Sequence, residues 1–138
     1  MTINSVSTGD APVVGFSAGT AAPLSQATVF NGLVFCSGQG PLDPETHTIV
    51  SDDFVTQTRQ TLKNMLAVVE AAGSSRELIL KCNCYVRDIE DFPAFNAEYR
   101  AFFEGVSTFP ARTTVQASPP RAGVLVEIEC VAALPSSS

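Results

Sequence analysis

The run ATVFNGLVFCS at residues 27–37 constrains this chain more than any other feature, because it sets two apolar segments on either side of Asn31-Gly32. Asn-Gly is the pair best able to take the positive φ values of a two-residue type I′ turn, whose twist matches that of the strands it joins. A β-hairpin is therefore predicted. Its turn fixes direction and register together, so the rest of the fold has to grow from an antiparallel pair.

Downstream, GQGPLDPETHTIVSDD is rich in turn formers and reads as a loop, with a short strand at 48–50. Apolar residues then recur near helical period at Val55, Leu62, Met65, Leu66, Val69 and Ala72. They predict a helix of about five turns, with Ser51 or Asp52 as N-cap and Gly73 just past its end. LILKCNCYV at 78–86 has the composition and length of a strand. A second helix is expected from near Asp91, with Pro93 in its first turn, burying Phe95, Tyr99, Phe102 and Phe103 before Gly105. RTTVQA at 112–117 and LVEIECVA at 125–132 complete the strands, separated by SPPRAG, whose prolines cannot pair within a sheet. One further strand can precede Ala27.

This order implies an α+β fold of one domain, residues 1–138, with a mixed sheet and both helices on one face. The ends, 1–12 and 134–138, are expected to be loose. The last strand is apolar at both parities, with Val126, Ile128 and Cys130 on one side and Leu125 and Val131 on the other. Helices on one face cannot cover both sets, so self-association is the natural cover for the second.

Charge narrows the function classes. With 14 acidic against 8 basic residues the net charge is −6, and no Lys/Arg stripe could neutralise a row of phosphates. Nucleic acid and anionic membrane are not expected as partners. No run approaches the roughly 20 apolar residues of a membrane span, and the start MTINSVSTGD lacks a secretory pattern; the expectation is a cytoplasmic protein. Cys36, Cys82, Cys84 and Cys130 show no CxxC spacing, and His47 is the only histidine, so neither a zinc site nor a Ser/His/Asp set can be assembled. The cysteines read as small buried hydrophobes, although Cys82 and Cys84 would share a strand face and could be redox-active.

Two charged residues interrupt apolar strands. Arg112 opens a strand directly after Pro110-Ala111, where it is either a carboxylate-gripping fork or one half of a structural ion pair. Glu127 sits inside LVEIEC, where an unpaired carboxylate is costly; the alternative is a solvent-facing position on an edge strand, made less attractive by Glu129, which shares its parity and suggests a partly polar face. Ser37-Gly38 ends the hairpin strand with a small hydroxyl and a free backbone N–H, either an anion contact or a plain turn.

At these residues the sequence resembles the Rid family, the reactive intermediate/imine deaminases also called YjgF-like proteins. SGQGPLDP (37–44), QTRQTLKNMLAVVEAAG (57–73), LKCNCYVRDIEDFPAFNAEYRAFF (80–103), FPART (109–113) and VEIECVA (126–132) look like its successive signatures. The resemblance implies a chorismate-mutase-like fold, a homotrimer with inward-facing sheets, pockets between subunits, and no metal or organic cofactor. It implies that Arg112 binds the substrate carboxylate, that Glu127 helps position the hydrolytic water, and that Ser37, Gly38, Asn96 and Thr114 line the pocket. The reaction implied is hydrolysis of a small 2-imino acid or enamine.

Departures accompany the match. The family usually reads GPYSQA where this chain reads APLSQA, placing Leu24 where a tyrosine contributes to the pocket. Gly40 replaces a common apolar residue, and APVVGFSAGTAA looks longer than usual. These changes raise a second reading, a pathway-specialised relative acting on a bulkier apolar substrate through the same pocket. A third is a non-catalytic ligand-sensing or chaperone-like trimer.

Overall fold

A computed structural model describes residues 2–13 and 22–136 of the chain. Six strands, β1 (Asn4–Val6), β2 (Ala27–Phe30), β3 (Leu33–Gln39), β4 (Ile79–Val86), β5 (Ala111–Gln116) and β6 (Val126–Ala133), form one sheet in the order β1-β2-β3-β6-β4-β5. All pairings are antiparallel except β4 with β5. The helices are α1 (Phe54–Ala71) and α2 (Phe92–Phe102).

The hairpin forms as its turn residues require: Asn31 and Gly32 take φ of 51° and 79°, and Ala27 faces Cys36 across the β2–β3 pair. Only a single bridge, Leu42 with Ile49, stands where a short strand was expected at 48–50. The N-cap of α1 is Asp53, one residue beyond the expected Ser51 or Asp52; its carboxylate accepts from the Thr56 backbone N–H at 2.9 Å. Ser51 instead accepts from the Asp53 N–H, supporting the turn that enters the helix. Gly73 follows the helix at φ 94°, the positive value that favours glycine there. In α2, Phe95 and Tyr99 are buried as expected and Phe103 just beyond it, whereas Phe102 is only partly covered.

Hydrogen bonds hold parts of both ends. β1 pairs with β2, and Gln26 holds the segment after β1 by accepting from the Thr8 N–H and donating to the Ala11 and Pro12 carbonyls. Leu134 N–H donates to the Gly32 carbonyl. Most of the unusual stretch 11–22, namely residues 14–21, lies outside the described residues.

The core lies between helices and sheet. Val126, Ile128, Cys130 and Ala132 of β6 are buried, together with Cys82, Cys84 and Val86 of β4 and with Val34 and Cys36 of β3. Their partners on α1 are Leu62, Met65, Val68 and Val69. The opposite face has the reverse parity. It carries Phe35 at 45% and Val115 at 44% relative exposure, beside half-covered Val131, Glu127 and Glu129.

Candidate active site

β5 is an edge strand that follows α2, so α2 lies over it and sets what surrounds Arg112. Register places Arg112 beside Cys82 and Thr114 beside Cys84, on the helix-covered face. The Arg112 guanidinium carbon lies 4.8 Å from the Tyr99 ring centroid, 5.6 Å from that of Phe92 and 5.7 Å from that of Phe95. Three rings at helical spacing thus form a cradle for one cation. No carboxylate lies within salt-bridge distance of it among the described residues, where the ion pairs are Arg59–Glu98 and Arg76–Glu77. An intrachain ion pair is therefore not what holds Arg112. The Tyr99 and Thr114 hydroxyls are buried beside the Cys82 and Cys84 thiols, and burial pushes the Tyr99 phenol well above its usual range. Asn96, Tyr99, Pro110 and Arg112 line a cavity of about 300 Å³.

Glu127 lies on the other face. Its neighbour on β4 is Tyr85, one residue out of phase with the row that carries Cys82 and Arg112. Glu127 is half-buried, accepts no hydrogen bond from the described residues, and has its carboxyl raised above the ordinary glutamate value, first by desolvation and then by the charge of Glu129. Glu129 itself is engaged by the Tyr85 hydroxyl. Burial without a partner leaves Glu127 as the poised carboxyl of the pair.

Ser37 and Gly38 sit where the β3–β6 register shifts between Cys36 and Gln39, an irregularity of the kind that re-aims groups beside active sites. A Cβ on Gly38 would come within 2.8 Å of Glu127 Oε2, so only glycine leaves the carboxylate where it is. Ser37 Oγ donates to the Ser25 carbonyl at 2.6 Å, and Ser25 adjoins Leu24. Leu24 is half exposed in a shallow groove with Val6, Val13 and Gln26. Gly40 shares a small cavity with Gly38, Pro119, Val124 and Glu127.

The sequence-predicted residues therefore form two half-sites on one chain. Asn96, Arg112 and Thr114 belong to the edge of the helix face; Ser37, Gly38 and Glu127, with Leu24 behind them, belong to the open face. The fold does not bring Arg112 and Glu127 together within a chain.

Several contributors escaped the sequence reading. Asn64 donates to the Gly40 and Leu42 carbonyls at 2.9 Å each. Gln57 donates to the Ser51 and Gly123 carbonyls and accepts from the Leu125 N–H. Both are fully buried on α1 and pin the loops flanking Glu127. Arg87 grips the second loop through the Val124 carbonyl. The available signal was polar residues on the buried stripe of an amphipathic helix, since such groups are retained only when hydrogen-bonded. All four cysteines are free and buried, and burial pushes the Cys82 and Cys84 thiols up to about 12, which leaves them protonated and poorly reactive.

Comparison with known proteins identifies the family. The family model described as "Endoribonuclease L-PSP" matches residues 16–134. The chain is 42% identical over 111 residues to a 2-iminobutanoate/2-iminopropanoate deaminase of Salmonella typhimurium, covering 80% of this chain and 86% of that one. It is 40% identical to the RutC family protein slr0709 of Synechocystis, over 99% of this chain and all of the other. Among solved structures, YyfA of Yersinia pestis, described as a protein of unknown function of the conserved Rid family, superposes with a TM-score of 0.86. It is 38% identical and is covered in full by 96% of this chain. The chain belongs to the Rid family.

Proposed function

We propose that the protein is a cofactor-independent hydrolase of 2-imino acids or their enamine tautomers. We further propose that it adopts the chorismate-mutase-like trimer, in which the Arg112 half-site of one copy meets the Glu127 half-site of the next. The observation that carries this reading is the unpaired guanidinium of Arg112, cradled by three rings and aimed at a cavity with no carboxylate of its own. Such a group is a receptor for a substrate carboxylate. Deaminase relatives at 40% and 42% identity support the reaction class.

In the reaction, Arg112 holds the carboxylate adjoining the imine carbon and so fixes the C=N bond against the neighbouring subunit. Ionised Glu127 accepts a proton from water as the water oxygen bonds to that carbon. That proton passes to the nitrogen; the hydroxyl of the resulting carbinolamine then gives up its proton, through Glu127, to the same nitrogen as the C–N bond breaks, and a 2-oxo acid and ammonia leave. Gly38 packs against the Glu127 carboxylate, and the absence of a side chain there leaves that carboxylate room to reach the water. Endoribonuclease activity is not carried over from the family's description, because a net charge of −6 opposes binding to a polyanion.

The test generates imino acids in situ with an amino acid oxidase and follows their loss in competition with semicarbazide. Catalysed loss is expected from the wild type. Arg112→Lys and Glu127→Gln are each expected to lose about tenfold or more of the activity alone. Co-assembled at random, they should recover about a quarter of the wild-type sites, the fraction in which an intact arginine meets an intact glutamate across an interface. No recovery, from a trimer shown to be mixed, would place both groups in a single-chain site and overturn the proposal. A monomer at micromolar concentration would do the same.

A further inference from the structure

The cavity at Arg112 holds a second cation that the chemistry above does not use. Arg100, in the last turn of α2, lines it along with Asn96, Tyr99, Phe109, Pro110 and Arg112. No acidic side chain is among these residues. In a chain with 14 acidic and 8 basic residues, two arginines and no carboxylate around one small cavity run against the overall charge balance.

Neither arginine is engaged in a salt bridge among the described residues. Each is steadied by aromatic rings instead: the Arg100 guanidinium carbon lies 6.0 Å from the Phe109 centroid, and that of Arg112 lies 4.8 Å from the Tyr99 centroid. A ring holds a guanidinium in place and leaves its N–H fork free for an anion. Asn96 precedes Arg100 by one helical turn, so both project from the same side of α2. The Tyr99 ring forms part of the wall between them while its hydroxyl is buried toward the Cys82 thiol, which leaves Asn96 and the two arginines as the polar side chains lining the cavity. An arginine in the last helical turn also suits the helix dipole, but that role requires no cavity and no second arginine.

We propose that Arg100 is a second anion-binding residue and that the substrate class is a 2-imino dicarboxylic acid. The inference rests on the imine-hydrolase reading: Arg112 takes the carboxylate beside the imine carbon, and Arg100 takes the carboxylate of the side chain. The reaction at the imine carbon is unchanged, with water added, the C–N bond broken and ammonia released.

The experiment compares kcat/KM for imines made from aspartate and glutamate with those from alanine and 2-aminobutanoate. Each is generated by a suitable oxidase and followed by semicarbazide competition. The wild type is expected to favour the acidic imines by about tenfold, the scale of one partly exposed charge-assisted contact. Arg100→Gln is expected to erase that ratio and Arg100→Lys to keep part of it, with little change in Tm. In parallel, calorimetry measures binding of oxaloacetate and 2-oxoglutarate against pyruvate and 2-oxobutanoate. Tighter binding of the diacids, lost in Arg100→Gln, sustains the dianion site even if no imine is hydrolysed, in which case only the reaction assignment falls. Neutral and acidic imines handled alike, with a ratio that Arg100→Gln does not move, would overturn the role of Arg100 and leave the hydrolase standing. A Tm that falls while the ratio holds would make Arg100 a structural residue.

Discussion

The two faces of the sheet are built from the same strands and obey different rules. On the helix face every second residue of β6 is buried against α1, and the polar groups admitted there include paired ones, Asn64 and Gln57, and Arg112 at the edge. On the open face Glu127 and Glu129 stand among Phe35, Val115 and Val131 with no helix above them. A charged group survives inside an apolar strand where its face is left for something else to cover. Each face holds half of the proposed chemistry, and the residues that differ between them are where the arrangement can be broken.

The largest effect is expected at the open face. Glu127→Gln keeps the shape and removes the base, and activity is expected to fall by roughly 10²- to 10⁴-fold, the usual contribution of a positioned proton acceptor. The same change is expected to stabilise the fold slightly near neutral pH. With its carboxyl raised, Glu127 holds its proton to higher pH when folded than when unfolded, so its contribution to stability declines as pH rises from the unfolded value through the folded one. Thermal melts across that window check the sign. The acidic limb of kcat/KM is expected above the ordinary glutamate value for the same reason and to disappear in the variant.

At the helix face, Arg112→Lys keeps a cation over the rings of Phe92, Phe95 and Tyr99 but loses the planar fork. We expect kcat/KM to fall about tenfold to a hundredfold with little change in Tm, the scale of a lost bidentate contact to a charged group. A collapse of Tm with activity per folded molecule retained would make Arg112 a structural residue. Removing an ion-pair partner cannot account for such a collapse, because none lies in reach among the described residues.

The junction between hairpin and site gives a smaller, sharper effect. Gly38→Ala would place a methyl 2.8 Å from Glu127 Oε2, and the group that yields is a flexible carboxylate rather than backbone. The expected result is a loss of about tenfold in kcat with nearly native stability, since misplacing a catalytic group costs rate before it costs folding. Equal losses in Tm and rate would show that the β3 irregularity tolerates no side chain at all.

Much of this was legible in the chain, for reasons that can be located. The Asn31-Gly32 turn, the α1 stripe and the terminator Gly73 are local signals, and local signals set local structure. The apolar doubling of β6 marked an uncovered face, and Arg112 and Glu127 stood out because charge is expensive in strands. Their placement on opposite faces was not legible, since it depends on the register of three strands distant in sequence, β4 with β5 and β4 with β6. The N-cap was missed by one residue because Ser51, Asp52 and Asp53 can all cap, and only the turn held by the Ser51 hydroxyl selects Asp53. Gln57 and Asn64 were passed over because their partners are loop carbonyls, which leave no mark in a hydrophobic pattern.

The smallest effect is expected at Leu24, which backs the Glu127 half-site through Ser25 and Ser37 and is half exposed. Leu24→Tyr adds the ring and hydroxyl of the family's usual GPYSQA pattern. If the open-face half-site has merely lost a tolerated contact, small neutral imino acids should turn over at the wild-type rate or somewhat faster. If the pocket has been re-specified for a larger apolar group, the wild type should be poor on those substrates, and the tyrosine should raise kcat/KM several-fold, the worth of one hydrogen bond of about 0.5 to 1.5 kcal/mol. The two faces separate the outcomes. An equal gain on neutral and acidic imines, which leaves the acidic-to-neutral preference set by Arg100 intact, would show that the half-sites act independently. A gain that comes with loss of that preference would show that they grip opposite ends of one substrate, because contacts sharing a ligand are coupled and distant independent ones add.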